Sequence, residues 1–291
     1  MDRRALFLAN HRSRNGAEMA EQAIAFLKSN GLDPIIPTLH KREDASAAIE
    51  KHAGEVDRVI VAGGDGSINA ALPGLIKTKL PLGIIPAGTA NDLARTLGLP
   101  TDLVPAIEIT AGGVTKSIDV GIVNDNPFIN AASLGLSVSI TRTLTGPLKK
   151  RWGAFAYVIA AGKAVWQARG FHARIHGQPD CDVHLRTVQI VIGNGKYFGT
   201  GMAVDENAVI DDATLHLYSV GVYHWWSVLG LLPSLRRGTT RSKKSVFNAA
   251  GPTFTIETLR PRTVSADGEI VGKTPAKFAV LPGAIRVFVP E

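Results

Sequence analysis

Residues 58–72 read RVIVAGGDGSINAAL: an apolar run from Arg58 to Ala62 ends in Gly63, Gly64, Asp65, Gly66 and Ser67, and a helix-compatible segment follows. A short apolar run closed by glycines predicts a buried strand. Glycines at its end let the backbone approach a ligand with no side chain in the way, and amides at the start of the next helix favour an anion. A plain tight turn explains the same residues equally well. Asp65 would repel a bare phosphate, so a metal ion or a water network would have to stand between the two.

A second stretch decides between these readings. Residues 81–100, PLGIIPAGTANDLARTLGLP, again join a strand to a helix, through Pro86, Ala87, Gly88, Thr89, Ala90, Asn91 and Asp92. If the two strands are neighbours in a parallel sheet, their carboxyl ends converge where open α/β sheets bind ligands. The spacing therefore predicts one shared nucleotide site. Outward from it, strand-like runs at Arg4 to Ala9 and Pro81 to Ile85 alternate with helical stretches at Ala17 to Lys28 and Ser46 to His52. In the first helix Ala20, Ala23, Ile24 and Leu27 form the apolar stripe. The alternation predicts a parallel α/β sheet.

Beyond about residue 120 the texture changes to short strands at Val120 to Val123, Ala173 to His176, Thr187 to Ile192, Thr214 to Tyr218 and Thr253 to Thr258, with a helical candidate at Trp152 to Arg169. The expected fold is α/β with two domains: residues 1–120 plus 275–291 as a parallel nucleotide-binding domain, and residues 121–274 as a mainly antiparallel, β-rich domain for the substrate. Pro275 to Pro290 is an apolar strand that returns to the first domain. There is no internal repeat and no low-complexity segment.

The 291 residues are 45% hydrophobic and 20% charged, a globular composition. The single cysteine, Cys181, excludes an internal disulfide, and no Cys/His cluster offers a zinc site, which suits a reducing compartment. Met1 to Arg12 reads as a first strand, since its apolar part is too short for a secretory core. The longest apolar stretch, Phe155 to Trp166, is broken by Gly162 and Lys163 and falls short of the roughly 20 residues that cross a bilayer. A net charge of +7 favours anionic partners without choosing among them.

Taken in order, GGDGSIN at Gly63 to Asn69, PAGTAND at Pro86 to Asp92, NPFINAASLG at Asn126 to Gly135, DDATL at Asp211 to Leu215 and ADGE at Ala266 to Glu269 resemble the diacylglycerol kinase catalytic-domain family of lipid kinases, relatives of ceramide and sphingosine kinases. The resemblance extends over almost the whole chain. It implies an ATP-dependent transfer of a phosphoryl group to a lipid hydroxyl, with the active site in the cleft between the two domains. Nucleotide contacts are implied at Gly63, Gly64, Asp65, Gly66, Ser67, Ile68, Asn69, Gly88, Thr89 and Asn91, with Asn10 and Thr38 as further candidates. Asp65, Asp92 and Asp119 would form the carboxylate and water network around a catalytic magnesium ion. The family places its catalytic acid in ADGE, so Asp267 or Glu269 would be the general base. A second, structural magnesium ion is implied at the DDATL turn, held by Asp212 and by carbonyls of Val209 and Thr214. Hard oxygen ligands suit that ion.

Several positions depart from the family pattern. Asn10 to Gly16 replaces the usual Asn-Pro and Ser-Gly, Ser67 replaces threonine, Ala70 stands where glutamate is common, and Ala213 replaces glycine. GEIVGKT at Gly268 to Thr274 has one residue too few between its glycines for a phosphate loop, and GNGKYFGTG at Gly193 to Gly201 lacks dinucleotide-binding spacing. Tyr223 to Leu235, followed by Arg236, Arg237, Arg241, Lys243 and Lys244, reads either as a membrane-docking surface or as a buried helix with a basic loop. The expected partners are nucleotide, lipid substrate and the inner face of a membrane, in a cytoplasmic protein that binds no nucleic acid and could form a homodimer. Two other functions stay open: a kinase for a soluble acceptor such as NAD, and a nucleotide- or lipid-binding regulator without catalysis.

Overall fold

The computed structural model describes residues 3–9, 14–136, 170–178, 180–198, 202–203, 208–221 and 246–290. The helical candidate at Trp152 to Arg169, the basic segment Tyr223 to Lys244 and Asn10 lie outside these residues. The chain divides into two compact units, residues 1–120 with 210–212 and 281–291, and residues 121–209 with 213–280.

The first unit runs β1 (Arg3–Ala9), α1 (Arg14–Ser29), β2 (Leu32–Ile35), α2 (Asp44–His52), β3 (Arg58–Gly63), α3 (Asp65–Thr78), β4 (Leu82–Pro86), α4 (Asp92–Thr96), α5 (Leu103–Gly112) and most of β5 (Val114–Val123). Its strands stand in the order β2-β1-β3-β4, all parallel. Crossover helices then cover both faces. On one face Ala5, Phe7, Ile60, Ala62 and Ile85 pack with Ala20, Ala23 and Leu27 of α1 and Ile107 and Ala111 of α5. The stripe expected for α1 is thus the buried one, with Ile24 partly buried against it. The alternate residues Leu6, Leu8, Val59, Val61 and Ile84 are also buried, as the pleat requires when both faces are covered.

The second unit is a β-sandwich. Its strands are β6 (Asn126–Phe128), β7 (Ala131–Gly135), β8 (Phe171–Gly177), β9 (Cys181–Thr187), β10 (Gln189–Gly193), β11 (Tyr197–Phe198), β12 (Met202–Ala203), β13 (Leu215–Val220), β14 (Val246–Gly251), β15 (Thr253–Thr258), β16 (Thr263–Ala266), β17 (Glu269–Lys273) and the first part of β18 (Ala276–Val289). One antiparallel sheet has the order β14-β13-β10-β7-β16-β17. Facing it, β18, β15, β8 and β9 pair antiparallel in sequence. Leu134, Ile190, Ile192, Leu215 and Val264 from the first sheet meet Ile175, Phe254, Ile256 and Phe278 from the second in one apolar core, the arrangement of two sheets packed face to face.

Two stretches sit otherwise than the sequence suggests. Ile210–Asp212 belongs to the first unit rather than the second, because the Asp119 N–H donates to the Ile210 carbonyl (2.8 Å) and Lys116 pairs with Asp211 at 2.9 Å. Residues 275–280 belong to the second unit, because Ala276 to Ala279 pair with β15. The segment GEIVGKT forms strand β17, not a phosphate loop.

A buried arginine fixes α5 in the first unit. Arg58, 7% exposed, donates to the carbonyls of Thr110 (2.8 Å) and Ala111 (3.0 Å), pairs with Asp57 at 2.7 Å and stacks 4.9 Å from the Phe288 ring centre. Those two carbonyls lie in the last turn of the helix, where backbone acceptors lack partners and a positive charge meets the dipole. Arg58→Ala should lower stability by about 3 kcal/mol, read as a fall in the denaturant midpoint, whereas loss within about 0.5 kcal/mol would show that α5 does not depend on this side chain.

Candidate active site

The two glycine loops meet backbone to backbone. β3 and β4 pair in parallel up to Gly63 opposite Pro86, and the Ala87 N–H donates to the Gly63 carbonyl (3.0 Å). Immediately beyond, a Cβ added to Gly64 would stand 2.9 Å from the Gly88 Cα, and one added to Gly88 would stand 2.6 Å from the Gly64 Cα. No side chain fits at either position. The absent side chains are thus required by the fold itself, quite apart from any ligand.

Polar groups lock the second loop in this position. Asn91 adopts a left-handed backbone (φ 50°); its Oδ1 accepts the Gly88 N–H and its Nδ2 donates to the Gly88 carbonyl, both at 3.0 Å. Asp65, at the start of α3, accepts the N–H of Asp92 on Oδ2 and that of Leu93 on Oδ1, each at 3.1 Å. Asp65 therefore ties one loop to the other through the first turn of α4, a contact that its place in GGDG did not reveal. Asp92 is buried, with Arg95 at 4.0 Å from its Oδ1.

The remaining nucleotide candidates are placed less uniformly. Gly63 is buried, and a Cβ on it would stand 2.6 Å from the Ser67 Oγ. Ile68 is a core side chain whose N–H donates to the Gly64 carbonyl at 3.3 Å. It shapes the helix rather than offering a side chain to a ligand. Asn69 has a buried Oδ1 with no hydrogen-bond partner, while Thr38 and Thr89 are exposed on loops. Asp119 is buried in β5, where its Oδ1 accepts the Gly283 N–H at 2.7 Å. The structure thus ties Asp65 to Asp92 directly, and Asp119 to β18 and Ile210.

In the second unit the ADGE turn separates two acids that the sequence leaves equivalent. Asp267 takes a left-handed backbone (φ 45°) between β16 and β17. Its Oδ2 accepts the Ile129 N–H (2.7 Å) and its Oδ1 accepts those of Asn130 (3.0 Å) and Ala131 (3.1 Å), while its own N–H donates to the Ala131 carbonyl (3.0 Å). Glu269 is exposed at the start of β17. At the DDATL turn Val209 and Asp212 are exposed and Thr214 is half-buried, and Ala213 holds φ 54°, a left-handed conformation that glycine adopts without strain. Among the described residues no three His, Cys, Asp or Glu side chains converge as a metal cage.

Residues 4–123 match the model of the diacylglycerol kinase catalytic domain, and residues 131–289 match that of the YegS C-terminal NAD kinase beta sandwich-like domain. The chain belongs to the diacylglycerol kinase catalytic-domain family, in its YegS branch. Over 293 residues it is 31% identical to "Probable lipid kinase YegS-like" of Pectobacterium atrosepticum, covering 98% of this chain and 95% of that one. Over 294 residues it is 29% identical to the protein of the same name from Klebsiella pneumoniae, covering 98% and 96%. A crystal structure of a Bacillus anthracis diacylglycerol kinase shares the fold with a TM-score of 0.73 at 20% identity, covering 99% of this chain and 97% of that one.

Within this kinase family, two features of the chain carry no sequence signal of their own: the three-amide cradle of Asp267, whose donors lie 136 to 138 residues away, and the approach of Arg42 to Gly66. The Gly64–Gly88 contact generates a direct test. Gly88→Ala should lower stability by about 1–3 kcal/mol, since its Cβ would meet the Gly64 Cα at 2.6 Å as well as the Asn91 Oδ1 at 2.7 Å; an unchanged thermal midpoint would show that the two loops do not need their closeness.

Proposed function

We propose that the protein is an ATP- and magnesium-dependent lipid kinase that transfers the γ-phosphoryl group to a hydroxyl of diacylglycerol or a related lipid. The observation that carries this reading is the backbone contact of Gly64 with Gly88. It brings two stretches of glycine main chain together at the carboxyl ends of two neighbouring parallel strands, the place where such sheets take phosphorylated ligands. Family membership supports a nucleotide as that ligand.

In this reading the main chain at Gly64 and Gly66, the Ser67 hydroxyl and the exposed Thr89 bind the phosphates, the Ser67 N–H being engaged by the Gly64 carbonyl at 2.9 Å. The oxygen-only donor set fits magnesium, which ordinarily uses one or two carboxylates together with substrate phosphates and water. Asp65, Asp92 and Asp119 are the carboxylates that would hold it, and Asp212 with the Val209 and Thr214 carbonyls would hold the second, structural ion. When bound, the catalytic ion neutralises phosphate charge.

The acceptor oxygen attacks the γ-phosphorus as the bond to the ADP leaving group breaks, and the hydroxyl proton needs a carboxylate to receive it. Asp267 is less suited, because three backbone N–H groups already occupy most of the acceptor positions of its carboxylate. Glu269, two residues on and exposed, is the better acceptor. Asp267 then acts as the positioning group that fixes the turn. A lipid acceptor implies contact with a membrane surface, in keeping with a cytoplasmic enzyme working at the inner face. The second domain's likeness to a NAD kinase sandwich makes NAD the competing acceptor.

The test is transfer of labelled γ-phosphate from ATP, with magnesium, to lipids in mixed micelles and to NAD. Labelled lipid is expected, with kcat reduced roughly 100-fold or more in Glu269→Gln. Label on NAD alone would replace the lipid reading, and full activity in Glu269→Gln would remove that residue from the proton transfer.

A further inference from the structure

Arg42 has no role in the reading above, yet its side chain reaches the glycine loop from outside. A Cβ added to Gly66 would stand 2.7 Å from the Arg42 Nη1 and 3.3 Å from its Cζ. The guanidinium therefore occupies the space that the absent side chain leaves. The backbone that carries it is held by its own turn: Asp44 Oδ2 accepts the N–H groups of His40 (3.0 Å) and Lys41 (2.9 Å), and the Ala45 N–H donates to the Arg42 carbonyl (3.1 Å).

This turn borders a cavity of about 170 Å³ in the first unit. The cavity lies against the ends of β1 and β3, between which the strand order reverses, a ligand position in doubly wound sheets. Its buried lining is apolar, with Phe7, Leu8 and Val61, whereas its cationic lining, Lys41 and Arg42, is exposed and adjoins Ser67 of the glycine loop. The buried apolar part thus suits an uncharged ring and the exposed cationic part an anionic tail. The tail faces a difficulty at Asp65, whose negative charge sits next to Gly66 in the chain. The positive charge of Arg42 beside Gly66 offsets it.

We propose that Arg42 is a positioning and specificity residue for the polyphosphate tail of the nucleotide, holding its terminal phosphates against Gly66 and favouring di- and triphosphates over monophosphate. The inference rests on the nucleotide-kinase reading. A guanidinium presents parallel N–H donors that match phosphate oxygens, which a lysine ammonium does not. Arg42→Lys should therefore retain attraction while losing part of the selectivity.

The experiment measures the affinities of the full-length protein for ADP and AMP, each with magnesium, in wild type, Arg42→Ala and Arg42→Lys, with thermal midpoints recorded alongside. Wild type should prefer ADP. Arg42→Ala should weaken ADP roughly ten- to a hundredfold, leave AMP nearly unchanged, and raise KM for ATP more than it lowers kcat; Arg42→Lys should fall between. Equal weakening of ADP and AMP would make Arg42 a structural residue, and tighter ADP binding in Arg42→Ala would make it an obstruction; either overturns the proposal while the kinase reading stands. Failure of wild type to bind ADP or ATP at all would overturn both.

Discussion

Everything proposed for the first unit depends on the main chains at Gly64 and Gly88 lying closer together than any side chain permits. Parallel pairing of β3 with β4 brings their carboxyl ends level, and the glycines let the chains continue side by side where a Cβ would force them apart. Two further constraints then keep the surface in one shape. Asn91 closes the second loop on Gly88, and Asp65 reaches across to the amides that begin α4. The acid that marks the glycine motif is thus part of the scaffold before any ion or phosphate is considered. A preorganised backbone surface is what phosphoryl transfer asks of a protein, since positioning and charge stabilisation supply most of the catalysis.

The second unit solves a similar problem with a strained turn. Asp267 stands at φ 45°, and three amides from Ile129 to Ala131 hold its carboxylate. The turn between β16 and β17 is thereby bound to the segment that leads from β6 into β7, and the start of β17, with Glu269, is set in place. Strain held by hydrogen bonds from a distant segment is a common arrangement at functional positions. Ala213 carries a comparable conformation, φ 54°, at the acidic turn.

The fold was largely legible because its signals are local. Alternating strand and helix periods predict the parallel sheet, and the stripe of Ala20, Ala23 and Leu27 predicts the covered face. The two glycine loops could be paired from their spacing alone, and each motif residue could be assigned a neighbourhood. What stayed hidden depends on contacts between distant parts of the chain. Asp267 and Glu269 look alike in ADGE until the donors from Ile129 to Ala131 are seen. Arg42 belongs to no motif, and its approach to Gly66 is seen only in the fold. Ile68 sits in the motif yet faces the core, because the helix period, not the motif, decides where a side chain points. The membership of Ile210–Asp212 in the first unit rests likewise on β5, about ninety residues earlier.

The central claim is that the two glycine loops act as one nucleotide surface, and backbone hydrogen exchange tests it most directly. Exchange would be followed at the amides of Gly64 to Asn69 and of Ala87 to Leu93, with and without ADP and magnesium. Slower exchange in both segments, appearing over the same range of nucleotide concentration, is the predicted result. Protection of one segment without the other, or of neither at a nucleotide concentration that saturates activity, would contradict it.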